Sequence, residues 1–224
     1  DLRMSRGLGD VYKRQILTSL SISLINNAAA DYGDAAIAGM GVVTRLVSMG
    51  SLTIFGFIKG FQPIAGYSYG AKKFNRLHEA IKTSIIWSTI FCVVYGLILA
   101  LFSTSIVSQF ASGNLEMIKV GASSLRVNGL SLMLFGFYTV YSSLFLALGK
   151  GKEGFILGAC RQGICFVPVI LVLPMIWGLN GILYAQPVAD VLSAIITVFM
   201  AIHLHRELNE AEKQVAIAGT NEVH

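Results

Sequence analysis

Positions 83–115, 127–149 and 162–189 of this chain contain no Asp, Glu, Lys or Arg. A helix needs roughly 20 apolar residues to cross the hydrocarbon core of a bilayer, so each stretch has room for at least one crossing. Hydrophobic residues make up 54% of the 224 positions and charged residues 13%, with a mean hydropathy of +0.68. A water-soluble domain of this length does not carry such a balance. The expected fold class is therefore all-α, a polytopic membrane helix bundle.

The apolar runs predict about six crossings, near 16–30, 35–58, 81–104, 120–148, 155–177 and 181–203. The connections between them alternate in charge. Asp31 and Asp34 lie in the first, Lys72, Lys73, Arg76 and Lys82 in the second, Glu116 and Lys119 in the third, and Lys150 and Lys152 in the fourth, while 178–180 is uncharged. Cytoplasmic loops retain Lys and Arg, so the second and fourth connections are expected inside, together with the tail that carries Arg206 and Lys213. The net charge of +5 is thus topological. With no continuous basic face, nucleic acid is not an expected partner, whereas the lipid bilayer is.

Enzyme chemistry finds no footing. No Gly-rich run precedes Lys-Ser or Lys-Thr at nucleotide-loop spacing, and no catalytic constellation gathers at a membrane face. Cys92, Cys160 and Cys165 lie within apolar runs with no ligand spacing to His or acids, and read as buried thiols. No metal site and no cofactor are expected.

Ionisable groups inside hydrocarbon cost several kcal/mol unless paired or hydrated, which singles out Arg45, Arg126, Arg161 and Asp190. All four are expected to face protein or water. Arg161 and Asp190 fall at similar depths on consecutive crossings, so a structural ion pair is the favoured reading and a transported-ion site the other. Asn26 and Asn27 offer amides either to a ligand or to a neighbouring helix. Tyr138 and Tyr141, three residues apart, share a helix face that either presents aromatic walls and hydroxyls to an amphipathic cation or packs in the core. Pro168, Pro174 and Pro187 predict kinks in the last two crossings.

The run GFIKGFQPIAGYSYGAKK at 56–73, with Gly60, Gln62, Pro63, Gly66, Tyr69 and Gly70 as its marked positions, resembles a signature of the multidrug and toxic compound extrusion (MATE) family, in which a helix ends in a turn before a basic loop. GDAAIAGMG at 33–41, ALGKG at 147–151, RQGICFVP at 161–168 and GLNG at 178–181 with the later Asp190 follow in the family's order. The resemblance covers nearly all of 16–224 and is nearest to the MepA-like bacterial branch.

That resemblance implies a twelve-helix protein of two six-helix lobes around a cavity, of which this chain is the carboxy-terminal lobe and the amino-terminal lobe its missing partner. It implies a multi-pass protein of the bacterial cytoplasmic (inner) membrane, with its carboxy terminus in the cytoplasm. The implied function is secondary, not enzymatic: export of cationic and amphipathic small-molecule drugs by antiport against sodium or protons, with alternating access. The rival is a related flippase for lipid-linked precursors, which would use Arg45, Arg126 and Arg161 for a pyrophosphate. The crossings at 16–30 and 120–148 lack the acidic coupling residue of some branches, so the coupling carboxylate is expected in the missing lobe, with Asp190 as the local candidate.

Three segments are expected: the lobe at 16–206, a polar, partly disordered cytoplasmic tail at 207–224, and a non-native leader at 1–15. Within that leader SRGLGDVYKRQ, at 5–15, resembles a translated transposase sequencing adaptor.

Overall fold

The computed structural model describes residues 33–111 and 113–221, with positions 16, 19, 20, 23 and 24 ahead of them. The expected leader at 1–15, Asn26 and Asn27, and most of the first crossing lie outside those residues. The described residues form α1 (Asp34–Gly70), α2 (Phe74–Leu101), the short α3 (Ser103–Ser108), α4 (Leu115–Ala147), α5 (Gly151–Ala159), a π-helical turn (Cys160–Ile164), α6 (Phe166–Trp177) and α7 (Leu179–Asn221). Among them α1, α2, α4 and α7 are each long and apolar enough to cross a membrane, while α5, the π turn and α6 together fill the fifth expected crossing.

The helix ends follow local chemistry. Asn114 caps α4 by accepting a 3.0 Å hydrogen bond from the Met117 backbone N–H. At the other end of α4, Gly149 adopts a positive φ of 79°, and the Lys150 N–H returns to the Phe145 carbonyl at 2.9 Å. The turn after α1 is built alike, with the Lys73 N–H on the Ser68 carbonyl at 2.9 Å and Lys72 at φ 56° in the position glycine usually fills.

Two boundaries differ from the expectation. The second helix does not stop near residue 58: α1 continues through Gly60, Gln62, Pro63, Gly66 and Tyr69 to Gly70, so the signature is helical and its turn begins only at Ala71. The last helix does not stop near 203 either: α7 runs on to Asn221. Its reason is packing: Leu204 and Leu208 are buried, and Ala211 and Val215 rest on the same core. That i, i+4, i+7 spacing makes a helical stripe even where the opposite face is polar.

The bundle is organised around α4, two thirds (67%) of whose most apolar stretch is buried, against 28–33% for α1, α2 and α7. Small residues let its neighbours come close. A Cβ on Gly96 of α2 would lie 2.3 Å from the Gly129 carbonyl oxygen, and one on Gly39 of α1 would lie 3.2 Å from the Gly121 nitrogen. Such backbone approach is the packing mode available where lipid removes the hydrophobic drive between helices. Leu77, Leu125, Leu132, Phe135, Leu144 and Leu204 form the larger core. Phe166, Ile170, Ile182, Ala185 and Ala189 form a second one, against which Leu24 packs.

Side-chain pairs show which helix ends lie together. Lys150 pairs with Glu207, His78 Nε2 lies 3.7 Å from Glu212 Oε2, and Tyr141 Oη shares a 3.0 Å hydrogen bond with His205 Nε2. The start of α2, the turn after α4 and the end of α7 therefore meet at one end of the bundle. Both basic turns are at that end.

Candidate functional site

The most enclosed charges in the described residues are Arg161 and Asp190. The π turn that carries Arg161 has a local cause. Pro168 has no N–H and its ring crowds the carbonyl four residues earlier, at position 164, so the α-helical hydrogen bond is lost at this point. The chain widens instead, and the Cys165 N–H bonds the Cys160 carbonyl at 2.9 Å, five residues back. Of the expected proline effects, this is the one that changes helix type, since Pro174 and Pro187 lie inside continuous helices.

Arg161 Nε donates to Asp190 Oδ1 at 2.7 Å, joining the fifth and sixth crossings as the sequence suggested. Gln186, one turn before Asp190 on α7, donates its Nε2 to the same oxygen at 2.9 Å. The guanidinium carbon also sits 4.5 Å from the centre of the Phe135 ring, so α4 contributes a cation–π face. Asp190 Oδ2, and Ser193 Oγ one turn along α7, are buried without a hydrogen-bond partner among the described residues.

In a low dielectric this arrangement does one thing well. It holds the carboxylate and guanidinium together while ring and amide supply further polar contact, and removing one partner strands the other charge. Gln186 escaped the sequence reading, although its i to i+4 spacing from Asp190 was the available signal.

Arg45 and Arg126 are placed differently. Both are exposed on the surface of this chain, not enclosed by its own described helices. Neither α1 nor α4 turns that face toward a described neighbour.

Tyr138 and Tyr141 are buried. Tyr138 stacks edge-on against Phe135, with ring centroids 5.6 Å apart, and so belongs to the surroundings of Arg161. Tyr141 instead reaches His205, whose ring stacks on His78 at 6.0 Å. These histidines were not legible in the sequence, because Tyr141 and His205 are 64 residues apart and nothing local marks the contact. Of the signature positions on α1, Gly60 and Gly70 stand in open space, while a Cβ on Gly66 would approach the Ala147 carbonyl oxygen to 3.3 Å, placing that face of α1 against the end of α4. The three cysteines are buried free thiols.

Comparison with known proteins agrees with this architecture. The Multidrug export protein MepA of Staphylococcus haemolyticus is 28% identical over 193 residues, spanning 86% of this chain and 42% of that protein. Its namesake from Staphylococcus aureus strain MSSA476 is 27% identical over 204 residues, with 91% and 44% covered. A structure of the Vibrio cholerae MATE transporter VcmN in the bent form superposes with a TM-score of 0.81 at 19% identity, over 91% of this chain and 46% of that one. A crystal structure of MATE in the bent conformation gives 0.81 at 19% identity, over 89% and 44%. The chain thus spans less than half the length of these relatives. The MatE family model matches residues 14–172, and the chain, a multi-pass helical membrane protein, belongs to that family.

Proposed function

We propose that the chain is the carboxy-terminal lobe of a secondary multidrug exporter, which moves cationic and amphipathic compounds out of the cell in exchange for sodium or protons. The observation that carries this reading is the half-length match to proteins named multidrug export proteins, combined with one helical bundle whose α1 and α2 faces are largely uncovered. A cavity between two such lobes supplies alternating access when ion binding favours one of two arrangements. In this reading the end with both basic turns faces the cytoplasm, Asn26 and Asn27 are ligand or interhelical amides, and residues 1–15 are not native sequence.

Within the lobe, Arg161 and Asp190 act as a structural pair that locks the last two crossings. Their direct contact at 2.7 Å supports it, as does Gln186 donating to the same carboxylate oxygen. Burial of Tyr138 and Tyr141 supports packing roles for both. Neutralisation of Arg161 also weakens the flippase alternative, which needs basic groups free for a pyrophosphate.

Cells expressing this lobe together with an amino-terminal lobe should retain less cationic dye, and the difference should vanish when the ion gradients are collapsed. Unchanged dye retention with altered export of lipid-linked precursors would favour the flippase. Residues 16–224 reconstituted alone should show no gradient-driven export, because one wall does not make a cavity. Sequencing the source locus across residue 15 tests the leader.

A further inference from the structure

At the end of the bundle that carries both basic turns, four polar side chains from three helices stand in a row. Tyr141 of α4 shares its 3.0 Å hydrogen bond with His205 Nε2 of α7. The His205 ring lies nearly parallel to that of His78 of α2, with 13° between planes and 6.0 Å between centroids. His78 Nε2 in turn lies 3.7 Å from Glu212 Oε2. His205 and Glu212 are seven positions apart on α7, about two helical turns, so both project from one face. His78 is thereby set between them, and α7 is held to α2 and α4 beyond the end of its apolar run.

Charge decides how tight this hold is. Imidazole is the side chain whose ordinary charge change falls between about pH 5 and 8, and an ordinary carboxylate stays ionised through that range. With its proton on, the His78 ring is a cation beside an anion; without it, the same contact is a neutral ring beside a carboxylate. His205 offers no such place, because its Nε2 is engaged with Tyr141 and an added charge there faces His78, not an acid. The other charged neighbours are paired elsewhere or point to solvent. Lys150, in the turn after α4, pairs with Glu207, which His203 approaches to 3.6 Å. Glu79, Lys82, Arg206 and Lys213 are exposed, and no other ion pair reaches His78 or His205 among the described residues. The side chains of His78 and Glu212 are 30% and 40% exposed, so solvent screens this pair only in part.

We infer that His78 is a proton-binding site that straps the end of α7 to α2. At about pH 6 the imidazolium pairs with Glu212 and the helix end is held; toward about pH 8 the proton leaves and the strap slackens. The sign is fixed by the partner: the proton places a cation beside an anion, so the strap is strongest on the acid side and weakens as pH rises. Acid at this end of the lobe therefore fastens its last helix.

The test is hydrogen–deuterium exchange of the full chain in mild detergent, read by mass spectrometry over 206–215 at about pH 6 and about pH 8, with labelling times scaled to intrinsic exchange. At the acid pH, H78Q and E212Q should each open this segment about threefold more often than the parent, the scale of one partly screened ion pair. H78Q/E212Q should match either single change, H203Q should match the parent, and all differences should close at the alkaline pH. Should a variant fail to fold, the unaltered chain decides alone: about 0.5 M salt should open the segment at the acid pH and leave it unmoved at the alkaline one. Variants indistinguishable from the parent at the acid pH, an equal difference at both pH values, a double variant that loses twice as much as either single one, or a salt effect indifferent to pH would each overturn the assignment.

Discussion

Arg161 and Arg126 occupy apolar helices of one bundle and meet opposite fates. Arg161 sits on a π turn with Asp190, Gln186 and Phe135 around it, and Arg126, like Arg45, stands exposed on the outside of the chain. A buried charge is tied to the fold of its own lobe. An exposed charge on a membrane helix needs water or more protein beyond this chain. Position within an apolar run therefore says that an arginine matters, while its partners say to what.

The sharpest way to break this contrast is Arg161→Ala, which strands Asp190 and should destabilise the folded chain by roughly 3–5 kcal/mol. Loss of the monodisperse peak after mild heating in detergent would show it, and a variant as robust as the parent would end the pairing account. R161M/D190L removes both charges with similar volume and should recover most of that loss, since replacing a whole buried pair is far milder than halving it. An uncharged interior comparison is Gly129→Val, whose added atoms meet the Gly96 carbonyl oxygen, 2.8 Å from a Cβ there. About 1–3 kcal/mol is expected, read from the same melting curves.

Smaller still is Tyr141→Phe, which keeps the ring and removes the hydrogen bond to His205, for about 1 kcal/mol. At the bottom stand Arg45→Gln and Arg126→Gln, which should leave the melting point of this chain unmoved. If they change dye export in the two-lobe protein while leaving stability alone, the exposed arginines belong to the path between lobes. A loss of stability equal to that of Arg161→Ala would erase the distinction between inside and outside.

Much of the fold was legible because membrane crossings advertise themselves: uninterrupted apolar runs and clustered lysines predicted the helices and the shared end of both basic turns. Helix ends were harder, for a physical reason. Hydropathy marks where lipid stops, whereas helical hydrogen bonding continues as long as the backbone allows. Thus the second apolar run ends near residue 58, yet α1 continues to Gly70. In the tail, Leu204, Leu208, Ala211 and Val215 were visible as residues, but their stripe acquires meaning only against the core they cover. For the candidate site, depth alone brought Arg161 and Asp190 together. Exposure of Arg45 and Arg126 was out of reach, because it depends on which face each helix turns to its neighbours.

The widened turn at Cys160–Ile164 also acts as a phase shifter. One extra residue in a helical path advances everything after it by about 100°, given 3.6 residues per turn. Phe166 and Ile170 are buried with that advance in place. Deleting one residue between 160 and 164 would rotate the whole of α6 back, swinging these two toward lipid and bringing the exposed set that includes Leu171 and Met175 round toward α7. A single codon in this pentapeptide thus governs the azimuth of an entire crossing, and length variation there should be tolerated far less than in the turn at 178.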